Sequence, residues 1–267
     1  MISALNDKPI GVFDSGVGGL TVVKSILKAL PNEKILYYGD TARVPYGNKS
    51  SETIKRFSAE IMDFLTGEGI KLAVVACNTA SSLAIGSLKN SYDIPVIGVI
   101  EPGVEEALRS SRNRRIGVIG TRSTVKSAAY EKALKEKDPL SVVFSRDCPL
   151  FVPLVENRMA EDPVTEQMAE RYLKDLKDND IDTLILGCTH YPILMPVLSV
   201  VMKGVNLVDS PSAVVKELER ELREKRMEAP EDASGGLSCF VSDDIEGFKE
   251  AADIFLEKDV IVARKVL

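Results

Sequence analysis

Two cysteines occupy the same kind of position in the chain. Cys77 closes the apolar run 72–76 and is followed by Asn78, Thr79 and a helix-like stretch over 80–88. Cys188 follows the run 184–186 and precedes Thr189, His190, Tyr191 and Pro192. In an open parallel sheet, ligands collect at the carboxyl ends of the strands. A thiol placed there beside a helix N-terminus feels the positive end of the dipole, which lowers its pKa. Backbone N–H groups and the hydroxyls of Thr79 and Thr189 can hold a carboxylate at such a point. Taken singly, either cysteine reads better as a small buried hydrophobe. Two at matching positions reverse that preference.

Two thiols facing one cleft suit a pseudo-symmetric proton transfer. One removes a proton from one face of a carbon, and the other returns a proton to the opposite face. One must start as thiolate and the other as thiol, yet a free thiol is only a few per cent ionised at about pH 7. Neighbours must therefore poise them: His190 stands two residues beyond Cys188, and Asp14 ends the first apolar run, where it can lie beside Cys77. The loop Asp14-Ser15-Gly16-Val17-Gly18-Gly19-Leu20-Thr21 is no phosphate cradle. Thr21 takes the last position of the Gly-x-Gly-x-x-Gly pattern, and no Lys-Ser/Thr follows. An aspartate at its mouth would repel phosphate. Its glycines permit a tight turn beside a small ligand, or a plain structural turn.

The elements that must position these residues alternate. Apolar runs at 10–13, 35–38, 72–76, 96–99, 116–119, 142–144, 184–186 and 205–208 read as strands covered on both faces. Between them lie amphipathic helices. Ser51 caps one that buries Ile54, Phe57, Ile61 and Phe64, and Pro163 opens another with Val164, Met168, Tyr172 and Leu176 on one face. This alternation predicts an α/β fold with mostly parallel sheets. Segment 10–15 resembles 116–121, and 74–79 resembles 185–190, in the same order along the chain. The matches suggest two similar α/β domains related by a pseudo-twofold, with the active site in the cleft between them. Chance likeness between α/β strands is the alternative. Residues 1–99 with 210–267 form the expected first domain, and 100–209 the second. The tail carries a helix with Val214, Leu218 and Leu222 on one face, then a turn at Gly235-Gly236, and is expected to return to the first domain.

Composition removes other functions. Among 267 residues, 34 Lys and Arg against 40 Asp and Glu give a net charge of −6, no case for a nucleic-acid surface. One histidine and no Cys-x-x-Cys pair argue against a zinc site, and no metal is expected. The polar start at 1–9 is no signal peptide, and no uninterrupted apolar run is long enough to span a membrane. Four scattered cysteines without an export signal suit a reducing cytoplasm.

Four motifs taken together resemble the bacterial glutamate racemases: residues 13–19, Val44-Pro45-Tyr46-Gly47, Ala76-Cys77-Asn78-Thr79-Ala80 and Gly187-Cys188-Thr189-His190-Tyr191-Pro192. They run in order over residues 10–210. The resemblance implies a cofactor-independent enzyme that interconverts L- and D-glutamate and supplies D-glutamate for peptidoglycan. Its small-molecule partner is glutamate, and it is a homodimer. By motif, Cys77 and Cys188 are the catalytic acid/bases, with Asp14 and His190 poising them. Glu156, in Pro153-Leu154-Val155-Glu156, resembles the second auxiliary acid near Cys188; a solvated loop carboxylate is its alternative. Asp14, Ser15, Pro45, Tyr46, Gly47, Asn78, Thr79, Thr121, Thr189 and His190 are the implied substrate contacts, Tyr46 through its backbone N–H. Cys148 and Cys239 match no motif and read as structural. Three rivals remain: a racemase for aspartate, whose relatives resemble this chain with an acidic residue in place of His190; a hydrolase using Cys188 and His190; and a non-catalytic ligand-binding α/β protein.

Overall fold

The computed structural model describes residues 6–256 and 260–267. Residues 1–5, which open the polar segment before the first strand, and 257–259 in the tail lie outside the described residues. In chain order the elements are β1 (Ile10–Asp14), α1 (Leu20–Ala29), β2 (Lys34–Gly39), α2 (Ser51–Gly67), β3 (Leu72–Val75), α3 (Asn78–Ser91), β4 (Val96–Gly98) and α4 (Ile100–Ser110). There follow β5 (Arg115–Gly120), α5 (Arg122–Ser127), α6 (Ala129–Lys137), β6 (Val142–Asp147), α7 (Phe151–Glu156), α8 (Pro163–Asp178), β7 (Thr183–Gly187), α9 (Met195–Val201) and β8 (Asn206–Asp209). The tail supplies α10 (Ser210–Lys225), β9 (Gly236–Val241), α11 (Ile245–Leu256) and β10 (Val262–Arg264).

Two parallel sheets result, ordered β10-β9-β2-β1-β3-β4 and β6-β5-β7-β8. The strands β2-β1-β3-β4 and β6-β5-β7-β8 share one winding order. In each, the first strand lies beside the third, so Phe13 pairs Val75 and Gly120 pairs Gly187. Cys77 and Cys188 follow the third strand of their respective sheets. The residues of β1, β3 and β7 are wholly buried, because helices cover both faces and no alternation is possible.

The tail completes the first sheet. β9 pairs with β2 from Lys34↔Gly236 to Gly39↔Val241, and β10 pairs with β9. Gly236, expected in a turn, begins β9. Gly235 lets the chain pass Pro31, whose carbonyl oxygen would stand 2.0 Å from any Cβ there. A buried ion pair holds this region: Lys71 Nζ lies 2.6 Å from Glu33 Oε2 and donates to the carbonyls of Asn6 and Met227. Two helix details differ from expectation. Ser50, not Ser51, caps α2 by accepting from the Thr53 N–H at 3.2 Å. In α8 the buried face runs through Thr165, Ala169, Leu173 and Leu176, one residue out of phase, leaving Val164 exposed.

Candidate active site

A cavity of ≈ 340 Å³ lies between the carboxyl ends of the two sheets. From the first sheet side come Ser15, Pro45, Tyr46, Gly47, Cys77, Asn78 and Thr79. From the second come Thr121, Glu156, Cys188, Thr189 and His190. Both thiols therefore face one space, as the strand-end argument requires.

Cys77 is the N-cap of α3, and its Sγ accepts from the Ala80 N–H at 3.5 Å. The helix-end argument predicts a lowered pKa, yet this thiol is pushed up to about 12. Burial is the main cause and the Asp14 charge adds to it, while the Ala80 N–H pulls weakly the other way. Cys77 is thus held as a thiol. Asp14 is wholly buried; it accepts from the Gly16 N–H at 3.0 Å and faces the Thr189 hydroxyl at 3.5 Å. Burial raises its pKa against the opposing pull of His190 and backbone N–H groups.

Around Cys188 the arrangement is different. A four-residue 3-10 turn, Tyr191–Leu194, follows it and runs directly into α9. Its Sγ lies 3.9 Å from His190 Nδ1, and His190 Nε2 lies 2.9 Å from Glu156 Oε1. Burial alone would lower the histidine pKa, but its contacts with Cys188 and Glu156 outweigh that and raise it to about 10. His190 therefore carries its proton at neutral pH. It is a hydrogen-bond donor and a positive charge beside Cys188.

A belt of hydroxyls crosses from one half of the molecule to the other. Thr79 Oγ1 stands 3.0 Å from Thr121 Oγ1 and 3.4 Å from Thr124 Oγ1, linking the two halves. Ser123 donates to the Gly47 carbonyl at 2.6 Å, and Thr21 donates to the Thr189 carbonyl at 3.0 Å. Buried hydroxyls and backbone N–H groups of this kind suit a carboxylate ligand. Among the described residues, no group of three or more His, Cys, Asp or Glu is placed to hold a metal ion.

A family model described as Asp/Glu/Hydantoin racemase matches residues 10–218. The chain belongs to the Asp/Glu/Hydantoin racemase family. The glutamate racemase of Aquifex aeolicus is 48% identical over 251 residues, 94% of this chain and 95% of the relative. The crystal structure of a glutamate racemase isoform from Bacillus anthracis superposes with a TM-score of 0.94 at 39% identity, covering 98% of each chain. That of Francisella tularensis glutamate racemase in complex with D-glutamate gives 0.91 at 37% identity, again over 98% of each.

Of the expected site residues, all but Asp14 line this cavity, and Cys148 joins them. Asp14 does not line the cavity. It stands behind Ser15 and Gly16, so its position suits poising its neighbours, not touching substrate. Cys148, read as structural, does line the cavity, with its Sγ 3.9 Å from the Arg146 carbonyl. Tyr46 turns its hydroxyl to Asp40, leaving its backbone for the cavity. The glycine loop packs on protein: a Cβ on Gly18 would stand 2.4 Å from Thr189 Oγ1 and 2.5 Å from His190 Cε1. Sequence reading missed Thr21, Thr124, Arg122, Val152 and Pro153. Only Thr124 left a local trace, as the residue three beyond Thr121 whose N–H the Thr121 hydroxyl accepts at 3.3 Å.

Proposed function

We propose that the protein interconverts L- and D-glutamate by two-base proton transfer between Cys77 and Cys188, without a cofactor. The observation that carries this reading is the pair of cysteine turns, delivered by the third strand of each sheet to one cavity. Relatives named glutamate racemase support the substrate. The thiolate on one side takes the α-proton, so the C–H bond breaks as an S–H bond forms. The thiol on the other side then gives its proton to the opposite face of the carbanion. The reverse direction exchanges their roles.

In the direction in which Cys188 takes the α-proton, Cys77 begins as the thiol that its surroundings favour. His190 and Glu156 serve the Cys188 side, and Asp14 acts through Cys77 and His190. Ser15, Pro45, Tyr46, Gly47, Asn78, Thr79, Thr121, Thr189 and His190 contact the substrate. A positioned acid or base contributes ~10²–10⁴-fold. The remaining acceleration comes from fixed dipoles around the developing carbanion and from exclusion of water. Closure of residues 1–99 with 210–267 onto 100–209 provides that exclusion. The same reading makes the protein a cytoplasmic homodimer that supplies D-glutamate to peptidoglycan.

A hydrolase built on Cys188 and His190 is disfavoured, because it leaves without a role the second thiol, Cys77, which lines the same cavity. The test compares L-glutamate with L-aspartate as substrate, by loss of optical rotation. Faster turnover of aspartate would overturn the substrate. Full activity in Cys77→Ser or Cys188→Ser would overturn the two-base mechanism.

A further inference from the structure

Tyr130 is the second residue of α6, which follows Ala128, whose left-handed backbone (φ 54°) separates α6 from α5. Its side chain is 2% exposed yet ends in a hydroxyl, which needs a partner at that depth. The partner belongs to the other half of the molecule: the hydroxyl donates to Asn78 Oδ1 at 2.6 Å. One glycine makes room for the ring and a second lies against it at ordinary contact distance. A Cβ on Gly187 would stand 3.1 Å from Tyr130 Cε2, and one on Gly103 3.5 Å from Cε1. Gly187 precedes Cys188, and Asn78 follows Cys77. One buried side chain thus touches the turns of both thiols.

The Asn78 amide has one acceptor oxygen and two N–H donors. Tyr130 occupies the oxygen. The nitrogen has only a long contact, 3.5 Å to Ser210 Oγ, and Ser210 Oγ faces the Leu186 carbonyl at 3.4 Å. Asn78 itself lines the cavity.

We propose that Tyr130 is a positioning residue, which holds the Asn78 amide so that its NH2 group donates to a carboxylate of the bound substrate. The proposal rests on the glutamate-racemising reading above. A carboxylate only accepts hydrogen bonds, so an amide turned by half a rotation would present lone pairs to it and repel it. The Tyr130 hydroxyl fixes the productive rotation. Neither thiol depends on that hydroxyl for its proton, so its loss weakens binding and leaves proton transfer largely intact.

Tyr130→Phe tests this, since it keeps the ring in its glycine slot and removes only the hydroxyl. KM for both glutamate enantiomers is expected to rise about tenfold, the effect of one hydrogen bond to a charged group. The kcat should change by less than about threefold, on the scale of mutations that remove uniform binding. In an Asn78→Ala background, Tyr130→Phe should change KM by less than about twofold, because the amide it positions is gone. A role confined to packing would instead lower the melting temperature and leave KM unchanged, in either background. An unchanged KM in folded Tyr130→Phe, or a loss confined to kcat, overturns the proposal. Wild-type protein that neither racemises nor binds glutamate overturns the parent reading, and this proposal with it.

Discussion

Replacing Gly18 by alanine adds one methyl group at the point where the two halves of the site press together. That carbon would stand 2.4 Å from Thr189 Oγ1 and 2.5 Å from His190 Cε1 and Nδ1, where ordinary contacts begin near 3.4 Å. Something must therefore move by about 1 Å, a displacement that costs catalysis on the order of 10²-fold. The Thr189 backbone is tied by Thr21, and the His190 ring is tied by Glu156 and packed edge-on against Phe255. The strain thus falls on the groups beside Cys188. We expect kcat/KM for glutamate to fall about 100-fold, or about 2.7 kcal/mol of transition-state stabilisation. Overpacking should lower stability by about 1–3 kcal/mol. The assay is racemisation followed by optical rotation below the unfolding midpoint, with far-UV circular dichroism confirming the fold. Gly86→Ala is the control, since nothing lies within 4 Å of a Cβ there and the residue is inside α3. It should gain about 0.5–1 kcal/mol and keep full activity. Gly18→Ala protein that is folded and within threefold of wild type would refute the reasoning.

Three further outcomes follow from the same geometry. Lys71→Met leaves Glu33 buried without its cation and should cost about 3–5 kcal/mol in urea unfolding, much of it recovered by adding Glu33→Leu. Glu156→Gln removes a partner that raises His190 to about 10, so the alkaline limb of kcat should move to lower pH. Because that folded value lies above the unfolded 6.5, the stability linked to it is full below pH 6.5 and is lost as pH rises towards 10. The variant's stability should therefore vary less with pH across this window, as thermal unfolding at stepped pH will show. Thr121→Val breaks the hydroxyl belt to Thr79 and Thr124 and should raise KM by up to about tenfold, measured by steady-state kinetics.

Strands β1–β5 and β7 were legible because burial on both faces forces continuous apolar runs. β6 and β8 are largely half-buried or exposed and showed only as short apolar runs. Both cysteine turns were legible as the ends of buried runs. β9 escaped because exposed Gly236 and Ser238 interrupt its first half, which leaves only Cys239-Phe240-Val241 as an apolar stretch. β10 is three residues long and lies at the sheet edge. The phase of α8 was misread because Met168 and Tyr172 are half-buried on the flank of the true stripe. In the site, residues next to the cysteines in sequence were found. Thr21, Thr124 and Tyr130 were not, since their partners lie in elements brought near only by folding. The pKa of Cys77 went against expectation for a related reason: a helix N-terminus is visible in sequence, whereas the depth of burial that outweighs it is not.

The central claim is that two different groups handle the proton on the two faces of the α-carbon. Its most direct test is the position of deuterium at early times in heavy water, starting separately from L- and from D-glutamate. Two bases predict label in the newly formed enantiomer and almost none in the recovered starting enantiomer, in both directions. Label appearing equally fast in the starting enantiomer, or return of the original hydrogen to the product, would mean that a single base serves both faces and would contradict the account.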